Sequence, residues 1–179
     1  MTRAAIVAKI AALMKAKLIV GLAALALGIA SSYAFLKREV PAPEVRFATL
    51  TGDAFATSDL RGKVVLVNFW ATSCEICVHE MPMLIETWNK FSPQGYDTVA
   101  VAMSYDHPNL VADYARRNQL PFKVALDLEG AVARQWGEVK ATPTAFLVDR
   151  RGRIVKRYTG EPEVSELHAL IAKALAEPA

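Results

Sequence analysis

The chain contains few cysteines: only Cys74 and Cys77 occur among its 179 residues. A small fold held together by disulfides would need more of them. A structural zinc site would also need further Cys or His ligands at suitable spacing. A purely structural bond between cysteines this close in sequence would close a very short loop and gain little from chain entropy. The scarcity therefore indicates a chemically reactive pair.

An excess of basic charge is absent from most of the chain. Four of the 21 lysines and arginines fall before residue 18, and the remaining 17 nearly balance the 18 aspartates and glutamates. The net charge of +3 therefore arises from the N-terminal tail, residues 1–17. Proteins that bind nucleic acid carry a basic patch on the folded domain. We therefore predict no nucleic-acid partner.

Residues 18–36 form a run without a charged residue. As a helix this run would span about 28 Å, close to the roughly 30 Å of a hydrocarbon core. More positive charge lies in the tail of residues 1–17 than directly after the run, at Lys37 and Arg38, which predicts a cytoplasmic tail. We predict an uncleaved transmembrane anchor. A cleaved signal sequence is the alternative, because residues 32–34 resemble a small-x-small cleavage site; either segment would export the remainder of the chain.

The sequence after the anchor predicts a linker at residues 37–43, which are charged and contain proline, and one domain at 44–179. Predicted strands lie at 45–50, 64–70, 98–103, 124–126, 145–148 and 154–158, and predicted helices at 75–91, 108–118, 130–136 and from Pro162 onward. The continuous apolar run at 64–70 is typical of a buried central strand. The alternation predicts an α/β fold with a mixed central sheet flanked by helices.

The cysteine pair lies where the strand at 64–70 ends and the helix at 75–91 begins. Free backbone N–H groups and the helix dipole stabilise a thiolate there, so we predict a lowered pKa for Cys74. A thiolate attacks disulfides, and Cys77, one helical turn further, can resolve the mixed disulfide. The negative charge of Glu75 opposes thiolate formation, so the pKa of Cys74 should exceed that of strongly oxidising thiol proteins. The pattern predicts dithiol–disulfide exchange without a cofactor.

Two segments resemble one known family. Residues 68–82, NFWATSCEICVHEMP, are similar to the active-site segment of the TlpA/ResA-type membrane-anchored thioredoxin-like proteins, and residues 142–152, TPTAFLVDRRG, are similar to the second signature of that group. The resemblance covers roughly residues 44–176 and implies a thioredoxin fold. It also implies a single-pass protein of the inner membrane whose catalytic domain lies in the periplasm. There it would reduce protein disulfides, such as those of apocytochrome c or a copper-site assembly protein. A membrane electron donor would then reduce the oxidised enzyme again.

The resemblance implies roles for individual residues. Pro143, after Thr142, matches the proline that is cis in thioredoxin folds, where a backbone edge would dock the substrate chain beside Cys74. Glu80 matches a carboxylate that is thought to assist proton transfer, for which burial must raise its pKa. A solvated helix residue is the competing interpretation of Glu80. We also assign Trp70 to the substrate-binding residues and expect its side chain to lie under the active site.

Two positions depart from thioredoxin itself. Asn68 stands where thioredoxin has a buried aspartate, and Ser73 stands where it usually has a tryptophan. A buried carboxylate on the strand is therefore absent, and proton handling should depend on Glu80 or on water.

Two other functions remain open at this point. A peroxiredoxin-like peroxidase would need a proline-containing segment close before its reactive cysteine, and the residues before Cys74 contain none. A non-enzymatic copper-binding assembly module could use Cys74 and Cys77 as soft ligands. His79 adds little to a metal site, because residues two positions apart on a helix point to different faces. We therefore predict no metal in the working protein.

Overall fold

The computed structural model describes residues 40–178 and, before them, only the single positions Lys17, Gly21 and Gly28. From residue 40 to residue 178 the chain forms eight strands and four α-helices. The strands are β1 (Val40–Pro41), β2 (Arg46–Thr49), β3 (Ala54–Ala56), β4 (Val64–Trp70), β5 (Tyr96–Ala102), β6 (Lys123–Leu126), β7 (Thr144–Val148) and β8 (Arg153–Thr159). The helices are α1 (Glu75–Phe91), α2 (Pro108–Arg117), α3 (Ala131–Gln135) and α4 (Val164–Ala176).

The strands form one sheet in the order β1-β8-β7-β4-β5-β6-β2-β3. β4, β5 and β6 are parallel, and the other neighbours are antiparallel. Parallel neighbours need crossover connections, and α1 and α2 supply them. The predicted α/β fold with a mixed central sheet is therefore confirmed.

Strand β4 lies in the middle of the sheet, and every residue of it is buried. Because side chains alternate along a strand, Val64 and Leu66 face one core while Val65 and Val67 face the other. The first core includes apolar residues of α1, α2 and α4, and the second includes residues of β2 and α3. Full burial of each such side chain contributes about 1.5–3 kcal/mol. The C-terminal end of β4, where the cysteine pair follows, is thus held from both faces.

The final helix begins later than the sequence predicts. Helix α4 starts at Val164, and the Glu163 side chain caps it by accepting hydrogen bonds from the backbone N–H groups of Ser165 and Glu166. Leu167 and Ile171 are fully buried, as the apolar stripe predicts, whereas Val164 is exposed. A side-chain cap satisfies N–H groups that have no partner inside the helix.

Two short strands escape the sequence prediction. β1 occupies residues 40–41, which the sequence assigns to the linker, and it pairs with β8 at the sheet edge. β3 pairs with β2 at the opposite edge. Within the described residues, no helix is both long enough and apolar enough to cross a membrane. The predicted anchor at 18–36 lies outside these residues apart from Gly21 and Gly28.

Candidate active site

The cysteine pair lies at the strand–helix junction that the sequence predicts. Cys74 is the N-terminal cap of α1, and the backbone N–H of Cys77 points to its Sγ at an N to Sγ distance of 3.2 Å. The two cysteines are joined in a disulfide. Cys74 is partly exposed, whereas Cys77 is completely buried. One sulfur of the pair can therefore meet a partner protein, and the other is reached only from inside the protein.

The segment that begins at Thr142 lies beside the segment that carries the cysteine pair. The Thr142–Pro143 peptide bond is cis, as the resemblance implies, and the carbonyl oxygen of Thr142 lies 3.6 Å from the Sγ of Cys74. Thr142 is partly exposed, but Pro143 is buried. The Pro143 carbonyl accepts a hydrogen bond from the backbone N–H of Gly160 at 2.8 Å. The loop therefore presents Thr142 beside the sulfur that a substrate would approach.

Glu80 is a buried carboxyl group on the same face of α1 as Cys77, three residues further along the helix. Its side chain has no exposed surface, and its Oε1 accepts a hydrogen bond from the Asn68 amide at 2.9 Å. Burial raises the pKa of Glu80 to about 7, although the Asn68 hydrogen bond acts in the opposite direction and the negative charge of Glu161 adds to the rise. Oε2 has no hydrogen-bond partner among the described residues. The solvated interpretation of Glu80 is therefore wrong.

Trp70 lies under the site, as expected, but it does not form a surface for substrate. Its side chain is fully buried and packs against the ring of Tyr114 at a centroid distance of 5.2 Å. Its indole nitrogen has no hydrogen-bond partner within residues 40–178. The assignment of Trp70 as a substrate-binding residue is corrected to a packing role, because β4 is covered on both faces.

Sequence reasoning missed the loop between β5 and α2. The buried carboxylate of Asp106 accepts hydrogen bonds from the backbone N–H of Thr72 at 2.5 Å and from its hydroxyl at 2.6 Å. The hydroxyl of Tyr105 lies 3.2 Å from the hydroxyl of Thr142. These contacts join residues more than 30 positions apart, and no short motif in the sequence signals them.

His79 lies at the surface of the domain. Its side chain is largely exposed and its Nδ1 lies 3.3 Å from the carboxylate of Glu161. Across residues 40–178, no group of three or more histidine, cysteine or acidic side chains is arranged to hold a metal ion.

This fold and this site define a thioredoxin-like protein with a redox-active cysteine pair. A family model described as Redoxin matches residues 37–171. The thiol-disulfide oxidoreductase ResA of Bacillus thuringiensis is 30% identical over 133 residues, which cover 74% of this chain and 75% of the relative. The chain belongs to the Redoxin family.

Two solved structures are similar over most of the described domain. A candidate thioredoxin from Neisseria meningitidis is 37% identical, with a TM-score of 0.70 and coverage of 75% of this chain and 90% of the other. A candidate thiol:disulfide interchange protein DsbE from Chlorobium tepidum is 30% identical, with a TM-score of 0.69 and coverage of 77% and 97%. The predicted enzyme class, thiol:disulfide oxidoreductase, is confirmed, and its redox centre is the Cys74–Cys77 pair.

Proposed function

We propose that this oxidoreductase works outside the cytoplasm as a reductant of protein disulfides. The arrangement of three side chains carries the exchange chemistry, while the reducing direction and the location rest on the family resemblance and on the uncharged run at residues 18–36. Cys74 is partly exposed beside Thr142, while Cys77 and Glu80 are fully buried behind it. Such an arrangement separates the sulfur that meets the substrate from the groups that complete the reaction.

The reaction transfers two electrons in two exchange steps. The thiolate of Cys74 attacks a substrate disulfide, a mixed disulfide forms, and the first substrate sulfur leaves as a thiolate that takes up a proton. The thiolate of Cys77 then attacks the Sγ of Cys74 and releases the second substrate sulfur. The substrate ends as a dithiol and the enzyme ends as the Cys74–Cys77 disulfide. A membrane dithiol donor would have to reduce the enzyme again.

Glu80 is the group that we propose to accept the proton of Cys77. A carboxyl with a pKa of about 7 exchanges protons readily at neutral pH. The unpartnered Oε2 is free to hold that proton, because Oε1 is occupied by Asn68. No carboxylate on β4 can do this, since Asn68 is the polar residue within that strand.

The direction of electron flow is tested by equilibrating the full-length chain, in detergent, with mixtures of reduced and oxidised glutathione. A reductant should show a potential well below that of strong oxidants, whose potentials lie near −120 mV. A value close to −120 mV would contradict the reductase. Turnover of insulin disulfides by the same preparation, with dithiothreitol as donor, checks that the pair is catalytic.

The substrate is identified by trapping. A Cys77→Ala variant should retain its partner as a mixed disulfide on Cys74, and mass spectrometry of the trapped species names the partner. Cys74→Ala is the matched control, and we expect it to trap nothing. We propose cytochrome c biogenesis as the setting, with apocytochrome c as the first substrate and a copper-site assembly protein as the second, on the family resemblance. Trapped species that include neither would reject that setting.

The location is also proposed here: a single anchor at residues 18–36 in the inner membrane, with the domain in the periplasm. The uncharged run and the four preceding basic residues support it. Alkaline phosphatase fused after residue 179 should be active in whole cells, because that reporter folds only where disulfides form. An inactive but expressed fusion would contradict the orientation. The mass of the membrane-bound chain distinguishes an uncleaved anchor from a cleaved signal sequence.

A further inference from the structure

We propose that the loop after β5, residues 103–107, is a brace that fixes Cys74 relative to Thr142, with Asp106 and Tyr105 as positioning residues. We call it the brace loop. The proposal rests on the exchange reaction described above. It assigns a role in that reaction to side chains that do not themselves react.

Two sets of hydrogen bonds join the brace loop to the end of β4 and to the turn that follows it. The backbone N–H of Met103 donates to the carbonyl of Trp70 at 3.0 Å. Asp106 then receives both the backbone N–H and the hydroxyl of Thr72. Because a single residue occupies both carboxylate oxygens, the position of Thr72 is held in two directions. Hydrogen bonds to a charged group are stronger than those between neutral groups.

Thr72 lies inside the turn that leads to the reactive sulfur. The N–H of Cys74 donates to the carbonyl of Ala71 at 3.1 Å and closes this turn. The N–H of Val78 donates to the carbonyl of Cys74 at 3.0 Å and begins the helix. Fixing Thr72 therefore fixes the first turn of α1, whose Cys77 N–H points to the sulfur of Cys74.

The brace loop also contacts the segment that contains the cis peptide bond, through Tyr105 and Thr142. Tyr105 is 62% exposed, yet its hydroxyl lies within hydrogen-bond distance of the Thr142 hydroxyl. The backbone carbonyl of Thr142 approaches Cys74. Adjacent residues of one loop thus hold the segment that carries the reactive sulfur and the segment that faces it. The loop is itself ordered, because the Asp106 N–H donates to the Met103 carbonyl and His107 caps α2.

Near-isosteric, uncharged substitutions test the contact between Asp106 and Thr72. Thr72→Val removes the hydroxyl that donates to Asp106, and Thr72→Ser keeps it. Thr51→Val is the matched control, because it removes a hydroxyl that donates to Asp53, on a turn distant in sequence from the pair. All of these variants keep the ionisable side chains of the region, which are Glu75, His79 and Glu80 on the helix of Cys74, Glu161 beside His79, and Asp106 beside Thr72.

The readout is the pH profile of alkylation of the reduced protein by iodoacetamide, which reaches Cys74 and not the buried Cys77. In Thr72→Val we expect the midpoint to move upward by about half a pH unit, since a loosened helix start stabilises the thiolate less. The value of kcat/KM for insulin should fall about tenfold. Thr72→Ser should lie within about twofold of wild type, and Thr51→Val should match wild type.

A second substitution tests the contact between Tyr105 and Thr142, at a surface position where the fold should not be affected. Tyr105→Phe keeps the exposed ring and loses only the hydroxyl. We expect KM for insulin to rise about threefold, with the rate toward a small aromatic disulfide unchanged, because only a polypeptide uses the Thr142 edge. This surface variant should fold even if Thr72→Val does not.

Two results would overturn the brace. One is an alkylation midpoint of Thr72→Val equal to that of Thr51→Val, or not restored by Thr72→Ser. The other is a Tyr105→Phe protein identical to wild type toward insulin. Alkylation requires no substrate, so its failure is separate from failure of the proposed function, in which the wild-type chain would reduce no protein disulfide.

Discussion

Glu80 on α1 and Asp97 on β5 are two buried carboxylates whose pKa values move in opposite directions. Glu80 receives one neutral hydrogen bond, from Asn68, and burial raises its pKa to about 7. Asp97 receives the indole N–H of Trp88 at 3.2 Å and lies 3.1 Å from the ammonium groups of Lys63 and Lys123. Burial acts to raise the pKa of Asp97 as well, but these partners lower it.

The difference shows that burial alone does not decide the ionisation of a carboxylate. The indole N–H of Trp88 and two ammonium groups together offset the loss of hydration of Asp97, whereas the single amide of Asn68 does not offset that of Glu80. Asp97 is therefore ionised at neutral pH and joins α1 to the ends of β4 and β6 through Trp88, Lys63 and Lys123, whereas the pKa of Glu80 lies near neutrality. The proposed proton transfer by Glu80 depends on its raised pKa, and no cation is among the groups that shift that pKa.

The largest expected effect follows from Glu80→Gln, which keeps the shape and removes the proton acceptor. Turnover of insulin at pH 7 should fall about 100-fold, at the lower end of the usual contribution of general acid–base groups. The step in the pH–rate profile near pH 7 should disappear. Glu86→Gln, an exposed position on the same helix, is the control. A Glu80→Gln enzyme that keeps its activity would remove Glu80 from the mechanism.

The same variant should also change how stability depends on pH. The folded protein holds the Glu80 proton to about pH 7, whereas the unfolded chain loses it near the ordinary glutamate pKa of 4.5. The free energy of unfolding should therefore decrease as pH rises through this window, by roughly 3 kcal/mol at most. Glu80→Gln should remove that decrease. Urea titrations at pH 4.5 and 7.5 measure it, and equal slopes in both proteins would contradict the raised pKa.

Asp97→Asn tests the opposite case. It leaves two half-exposed lysines without their shared partner, so we expect a loss of about 2 kcal/mol of stability at pH 7. Because the pKa of Asp97 is lowered, its contribution is present at neutral pH and is lost as pH falls below the ordinary aspartate range. Asp113→Asn, which loses two arginine partners at the surface, should cost much less. Equal losses in both variants would show that burial of Asp97 is unimportant.

Asn68→Ala sharpens the comparison further. It removes the hydrogen bond that opposes the effect of burial on Glu80, so the pKa of Glu80 should rise further. The corresponding step in the pH–rate profile should move upward by about one unit. A step that stays in place would mean that the amide does not influence the carboxyl group.

The smallest effect is expected from Glu161→Gln. The charge of Glu161 raises the pKa of Glu80 only as a minor contribution, and its contact with His79 is exposed. The step should move downward by a few tenths of a unit, with stability changed by less than about 0.5 kcal/mol. A shift larger than that of Asn68→Ala would reverse our ranking of the two causes.

Much of the fold follows from periodicity in the sequence. The run at 64–70 is apolar on both faces and becomes the buried β4, and the Cys-x-x-C pattern marks the start of α1. β1 and β3 are too short for such a signal, because two or three residues show no period. Their place depends on pairing with β8 and β2, which only tertiary structure supplies.

The residues of the site are likewise predictable from the sequence only in part. Cys74, Cys77 and Pro143 come from two motifs, and a motif predicts a residue type at a fixed spacing. The state of Glu80 could not be decided from sequence, because it depends on the burial of a helix face and on Asn68 of β4. The packing role of Trp70 is not visible in the sequence, which places it near the pair without showing that both faces of its strand are covered. Asp106 carries no local signal at all.

The unequal exposure of the two sulfurs has a consequence for damage as well as for turnover. Peroxides and other small oxidants can convert an accessible thiolate to sulfenic acid and then to irreversible sulfinic and sulfonic acids. Here such attack is confined to Cys74, and the shielded Cys77 stands one helical turn away to condense with a sulfenic acid, expel water and restore the disulfide. The geometry that orders the exchange would thus also protect the enzyme from overoxidation.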